Sequence, residues 1–250
     1  MLKRYFIEVE YLGTPFCGFQ IQHQSKTVQG ELNRALEIRL KEKLETVTSS
    51  RTDTGVHARQ NFLHFDYSGH LPDSLIYNLN AMLPAEIVVK RIFQVAPNAH
   101  CRFDATRRTY RYLVSRKKTA FLHQRSYYYP FQLNPEMLQS CAQSCIGTKD
   151  FTSFSKRQTD VKHFQCTIFE SKWVMENDLL IYTVEANRFL RGMVRALVGT
   201  MLQSGRGKMD LISFEKILAQ KDCTLADFSP PGCGLYLEKV HYPDSLFELK

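Results

Sequence analysis

Residues 107–116 read RRTYRYLVSR. Tyr110, Tyr112 and Val114 occupy alternate positions, so an extended chain places all three on one face. Residues 3–11, KRYFIEVEY, alternate in the same way, with Tyr5, Ile7, Val9 and Tyr11 aligned. Each half of the chain therefore contains a half-buried strand of similar character, and helices follow in both halves. After the first strand comes a glycine-punctuated loop, LGTPFCGFQ. A helix then starts behind Thr27, a good cap, with Val28, Leu32, Ala35 and Leu36 forming its apolar stripe. Residues 62–67 read as a strand with Leu63, Phe65 and Tyr67 on one face. DSLIYNLNAML reads as a short helix stopping near Pro84, and EIVVKRIFQV as another strand.

In the second half, NPEMLQSCAQSCIG predicts a helix with Asn134 as cap and Pro135 at the first helical position. Residues 164–175 and 179–186 predict a hairpin joined by END. A long helix is expected to begin near Asn187. Its apolar side would be Phe189, Leu190, Met193, Val194, Leu197, Val198, Met201 and Leu202, with Arg188, Arg191 and Arg195 opposite at i, i+3 and i+7. GLYLEKVHY closes the chain as a strand. The expected class is α+β: two similar α/β lobes sharing a large mixed, mainly antiparallel sheet. No low-complexity linker interrupts the chain. Lobes over residues 1–105 and 106–250 are therefore expected to be tightly joined into one functional unit, with a shared cleft.

Lys and Arg outnumber Asp and Glu by 33 to 25, a formal charge of +8. The cations cluster at Arg107, Arg108, Arg111, Arg116, Lys117 and Lys118, at Lys156 and Arg157, and at Arg188, Arg191 and Arg195, with aromatics interleaved. That pattern points to a polyanionic partner such as RNA and makes the expected cleft basic. The chain has seven cysteines and no C-x-x-C pair. They read as buried small hydrophobes in a reducing cytoplasm rather than as a disulfide framework or zinc site. No apolar run approaches the roughly 18 residues of a membrane span, and the N-terminus has no apolar core of an export signal.

Residues 49–61, SSRTDTGVHARQN, concentrate chemistry between Arg51 and His57. Several readings meet on Asp53. An Asp in a glycine-containing turn often caps its own backbone. Asp53 and His57 alone make a poor metal site, since no further ligand has the right spacing. One glycine without G-K-[ST] is not a phosphate loop. An Asp beside Arg51 in a basic cleft would stay ionised, which suits a nucleophile better than a general acid. The residues by themselves leave the capping and the catalytic readings level.

SSRTDTGVHA resembles the G-R-T-D-A-G-V-H-A signature of the TruA family of tRNA pseudouridine synthases. YLGTPFCGFQ and TVQGEL resemble the family's Y-x-G-x-x-[FY]-x-G-[WF]-Q and T-V-Q-x-x-L segments. CRFDATRRTYRYLV, GTKDFTSFSK, NRFLRGMVRALVGTMLQSGRGK and PGCGLYLEKVHY resemble later family segments. The matches run in family order from residue 11 to residue 242. Ser50, Thr54 and Gly232 depart from the usual Gly, Ala, and Ala or Pro. If the Gly position requires positive φ, Ser50 would be strained.

The resemblance implies the pseudouridine synthase fold and isomerisation of uridine within tRNA, without cofactor or metal. It implies Asp53 as the catalytic carboxylate, acting at C1′, at the C2′ proton or at C6 of the base. It implies Tyr110 as a surface for the flipped base, Arg195 as partner of Asp53, and Arg51 as a residue holding the nucleotide's site open. Arg107, Arg108, Arg111, Arg188 and Arg191 read as phosphate contacts or solvated surface, and His57 as scaffolding that ties the loop by a hydrogen bond. Phe151 and Phe154 read as core. The family implies a homodimer acting on uridines (family positions 38–40) of the anticodon stem-loop. Two alternatives are a non-catalytic tRNA-binding protein that has drifted at Ser50 and Thr54, and the same chemistry on another RNA.

Overall fold

The alternation of residues 3–11 does form a strand, β1 (Lys3–Tyr11), and it is covered on both faces. The computed structural model describes residues 1–157 and 161–247. The chain divides into two units, one comprising Met1–Thr106 and the segment from Leu237 onward, the other Arg107–Tyr236. In the first unit β1 lies between β3 (His57–Tyr67) and β4 (Ile87–Val95), antiparallel to both. Tyr5 opposes Phe65 and Ile7 opposes Leu63 on one side, and Phe6 opposes Phe93 on the other. The short β2 (Val47–Thr48) pairs with β3.

One-faced alternation is not the whole pattern of β1. Phe6 is as fully buried as Ile7, because the rings of Phe62, His64, Phe93 and Tyr242 surround it. The third strand also starts earlier than its apolar run suggests, at His57, so it leads directly out of the Asp53 loop. Helix α1 (Val28–Leu40) is capped by Thr27, whose hydroxyl accepts from Gly30 N at 3.2 Å, and its expected stripe is buried. Helix α2 (Leu75–Met82) ends ahead of Pro84.

In the second unit β5 (Arg107–Ser115) pairs antiparallel with β9 (Leu179–Ala186), which pairs with β8 (Gln165–Glu176), which pairs with β7 (Gly147–Asp150). The short β6 (Tyr127–Tyr128) adds to β5 in parallel. The β8–β9 hairpin turns at Asn177 and Asp178, both with positive φ (47° and 66°), the conformation that matches the twist of the flanking strands. Helix α3 (Pro135–Ser144) is capped by Asn134, which accepts from Met137 N at 3.1 Å. It packs on α4 (Met193–Gly205), whose apolar residues are almost all buried. Phe151 and Phe154 are fully buried, as expected of core residues. The last strand, β10 (Leu235–His241), carries the chain from the second unit back into the first.

Three points differ from the sequence reading. Helix α4 begins at Met193, not near Asn187, because Gly192 takes a left-handed conformation (φ 77°) that starts the helix there. Arg188 and Arg191 therefore precede the helix and do not form a stripe with Arg195. Helix α5 (Leu211–Gln220) was not anticipated. Asp210 caps it by accepting from Ser213 N at 2.8 Å, and Phe214, Ile217 and Leu218 bury its inner face. Cysteines 101, 141, 145 and 166 are buried, whereas Cys17 is exposed. No helix among the described residues is long and apolar enough to cross a membrane.

His64 in β3 is buried against Phe6. Its Nδ1 accepts from Cys101 N at 3.3 Å, so the ring is neutral with its proton on Nε2. Burial first, then the nearby Arg4, lowers its pKa from 6.5 to about 4. The folded value lies below the unfolded one. This stability is therefore complete above pH 6.5 and is lost as the pH falls toward 4. The loss amounts to up to about 3 kcal/mol. Urea unfolding at stepped pH should show stability falling through that window, and His64→Gln should reduce the slope, leaving the part due to His100, whose pKa burial also lowers. An unchanged slope in the variant would contradict the assignment.

Candidate active site

Asp53 sits in a turn whose closure comes from the backbone. Val56 N donates to Asp53 O at 3.1 Å, and Gly55 takes positive φ (76°) at the turn's third position. Asp53 is part-exposed, with exposed Arg51 two residues before it and buried Thr52 between them. Thr54, which departs from the family's usual residue, is exposed.

The turn is held from below by the loop that follows β1. Phe19 N donates to Thr52 O at 3.0 Å, and Thr52 Oγ1 lies 2.8 Å from Tyr11 Oη. Gly13 N donates to His57 Nδ1 at 3.0 Å, so buried His57 is the expected scaffold of the loop. The two loops meet without room for side chains. A Cβ on Gly13 would lie 1.9 Å from Val56 O, and Gly18 (φ 86°) faces Thr52 O. Fully buried Asn61 completes the support: its amide nitrogen donates to Ser50 O at 3.0 Å and to Tyr11 Oη at 3.2 Å, and its oxygen accepts from Ser49 Oγ at 3.1 Å. Ser50 does not have positive φ, so it carries none of the strain expected if the position required glycine.

The residues noted for the second unit separate into distinct settings. Tyr110, part-exposed on β5 opposite Val184, meets Phe189 edge-on at 5.0 Å between centroids. Arg195 lies in the first turn of α4, where Nε donates to Pro230 O at 2.7 Å and Nη2 to Phe228 O at 3.4 Å. Those carbonyls fix its guanidinium plane within the unit. Arg107 pairs with Glu185 at 3.0 Å and lies over Phe169, and Arg111 pairs with Glu176 at 2.7 Å. Arg108 donates to Asn187 O at 3.3 Å. Arg188 Nη1 lies 3.1 Å from His163 Nε2, and Arg191 is exposed. A phosphate reaching Arg111 would displace the exposed carboxylate of Glu176, an exchange that costs about 1 kcal/mol or less.

Tyr11, Gly13, Gly18 and Asn61 support the Asp53 turn, yet none stood out in the sequence as a site residue. The first three lie in YLGTPFCGFQ, and the closeness of two glycines to a tyrosine was the available signal. Asn61 gave none. No cluster of three or more metal-ligating side chains occurs among the described residues.

The Gly13 contact makes a sharp prediction. Gly13→Ala must push the Val56 carbonyl away, which should cost several kcal/mol, about 2–4, and lower the melting temperature by many degrees. Ser50→Gly should change it far less. A Gly13→Ala protein that melts with wild type would contradict the close approach.

Residues 7–104 and 141–243 match the family described as tRNA pseudouridine synthase. The chain is 42% identical over 251 residues to tRNA pseudouridine synthase A of Parabacteroides distasonis, with 100% of both chains covered. It is 41% identical over 250 residues to the protein of that name from Bacteroides fragilis, covering 99% of each. A Geobacillus protein of that name is 42% identical over 246 residues, covering 97% of this chain and 99% of its own. The Asp53 turn and its supporting loop fall inside the first matched stretch, and Arg195 and its carbonyl partners inside the second. By end-to-end identity, this chain belongs to the tRNA pseudouridine synthase family.

Proposed function

We propose that the protein isomerises uridine to pseudouridine in tRNA, with Asp53 as the catalytic carboxylate. The supporting observation is the Asp53 turn: a backbone-closed loop, rigidly seated, that holds a part-exposed carboxylate two residues from an exposed guanidinium. The reaction breaks N1–C1′, turns the base and forms C5–C1′, and the C5 proton is exchanged for one on N1. Nothing is oxidised or transferred to a second substrate, so the chemistry asks for positioned charge and an enclosed, stackable base. Whether it acts at C1′, at the C2′ proton or at C6, the carboxylate must be ionised.

The remaining roles follow the family resemblance. Arg195 keeps the carboxylate ionised and aimed, and its two carbonyl contacts leave it little freedom to wander. Tyr110 offers a ring to the flipped base. Arg51 occupies the space that the base vacates. The cations Arg107, Arg108, Arg111, Arg188 and Arg191 contact phosphates and so position the RNA without reading its sequence. We extend the reading to the anticodon stem-loop as substrate region, to a homodimer and to the cytoplasm. The two lobes read from the sequence act as one functional unit. Of the two departures that suggest a drifted, non-catalytic binder, Ser50 and Thr54, the relaxed backbone of Ser50 speaks against the first.

Asp53→Asn keeps size and removes charge. Incubated with an unmodified tRNA transcript, wild type should form pseudouridine at mapped positions, and the variant should form none while binding the transcript within about threefold of wild type. Normal conversion by the variant would overturn the assignment of Asp53. Arg195→Ala should lower the saturating rate by about 10²-fold or more with little change in binding, as expected for removal of a positioned charge. A change in binding alone would contradict that role.

A further inference from the structure

Phe103 is a large aromatic residue that is 74% exposed. Its turn, Ala99–Asp104, is far from loose. Arg4 Nη1 donates to Ala99 O at 2.9 Å while its other nitrogens hold Asp66. Buried Cys101 is tied through its N–H to His64 and through its carbonyl to Tyr242. Asp104 Oδ2 accepts from His100 N at 2.7 Å, and His100 Nδ1 accepts from both Arg102 N and Phe103 N. The His100 ring backs Phe103 at 4.2 Å between centroids, and the Arg102 guanidinium lies 5.7 Å from it.

A rigid turn that holds an aromatic ring in water has already met the ordering cost of presenting it. Beside it opens a cavity of about 170 Å³ lined by Gln20, Thr48, Arg51, His100, Arg102 and Phe103 among others. Among the described residues, none of its lining side chains is a carboxylate. The turn's own carboxylate, Asp104, is bonded inward to His100 N. The surroundings of the ring are thus two arginines and neutral donors, next to the Asp53 turn through Arg51.

We propose that this turn is a second RNA-contact site, in which Phe103 stacks on a base of the bound tRNA flanking the target nucleotide and Arg102 takes an adjoining phosphate. The occupant is a nucleotide because the site joins a flat apolar face to cations and hydrogen-bond donors, with no carboxylate among the residues that line the cavity. Stacking tolerates any base, so the site adds affinity and holds register without reading sequence. The proposal rests on the tRNA-modifying reading given above.

The test uses the full chain and one unmodified tRNA transcript. Phe103→Ala should raise Kd about tenfold, within the range seen for loss of one stacked base, and Phe103→Tyr should stay within about twofold. Because the ring packs on the surface, the Ala variant should melt with wild type. Arg102→Gln should lower the slope of log Kd against log salt by about one. The wild type has a single tryptophan, buried Trp173, so Phe103→Trp adds a surface reporter whose emission should be quenched as tRNA saturates it. Wild-type Kd for Phe103→Ala, or unquenched emission from Phe103→Trp at saturation, overturns the site. If wild type converts tRNA while Phe103→Ala binds as tightly, only this inference fails. If wild type neither binds nor converts tRNA, the functional reading fails with it.

Discussion

The buried amide of Asn61 is the contact on which the Asp53 turn depends. It accepts from Ser49 and donates to Ser50 O and Tyr11 Oη, joining the start of the loop, the end of β1 and the strand that follows the loop. Each of these polar groups is out of water, and leaving one unpaired costs about 1–3 kcal/mol. Among the described residues no buried side-chain nitrogen or oxygen lacks a partner. The network therefore favours one arrangement of Ser49–Thr52. Asp53 and Arg51 leave a settled base, so their geometry costs little to maintain when a substrate arrives.

The second unit meets a similar requirement with a glycine. Left-handed Gly192 begins α4 at Met193 and puts Arg195 in its first turn, within reach of the 228–230 carbonyls. A helix started six residues earlier would have aligned three arginines along its exposed side. Instead Arg188 and Arg191 lie on the irregular segment before the helix, while Arg195 is held by the Phe228 and Pro230 carbonyls. Gly199 lets α4 approach Asp227 O, where a Cβ would sit 2.2 Å away, and this fixes the helix against the segment that supplies those acceptors.

Much of this was legible in the letters. Alternation located β1, β5, the β8–β9 hairpin and β10, and Thr27 and Asn134 announced their helices by side-chain chemistry that acts within three residues. His57 was legible as scaffolding. The misses have a shared physical cause. Whether Phe6 is buried depends on rings from β3, β4 and the C-terminal segment, and periodicity along one strand does not report them. Gly192 adopts positive φ inside an apolar run that keeps helical spacing on both sides, so the spacing extended the helix too far. Helix α5 hid behind a weak cap signal at Asp210. Asn61 looked like any strand-edge amide, because its importance lies in three residues distant along the chain.

In the proposed reaction the seated Asp53 carboxylate drives an exchange at C5 of uridine in tRNA. Tritium release from transcript carrying [5-³H]uridine, under single-turnover conditions, reads that exchange directly. The account predicts one tritium released for each pseudouridine formed by wild type and no release by Asp53→Asn at equal occupancy. Release by the variant at the wild-type rate, or none from wild type saturated with tRNA, would contradict it.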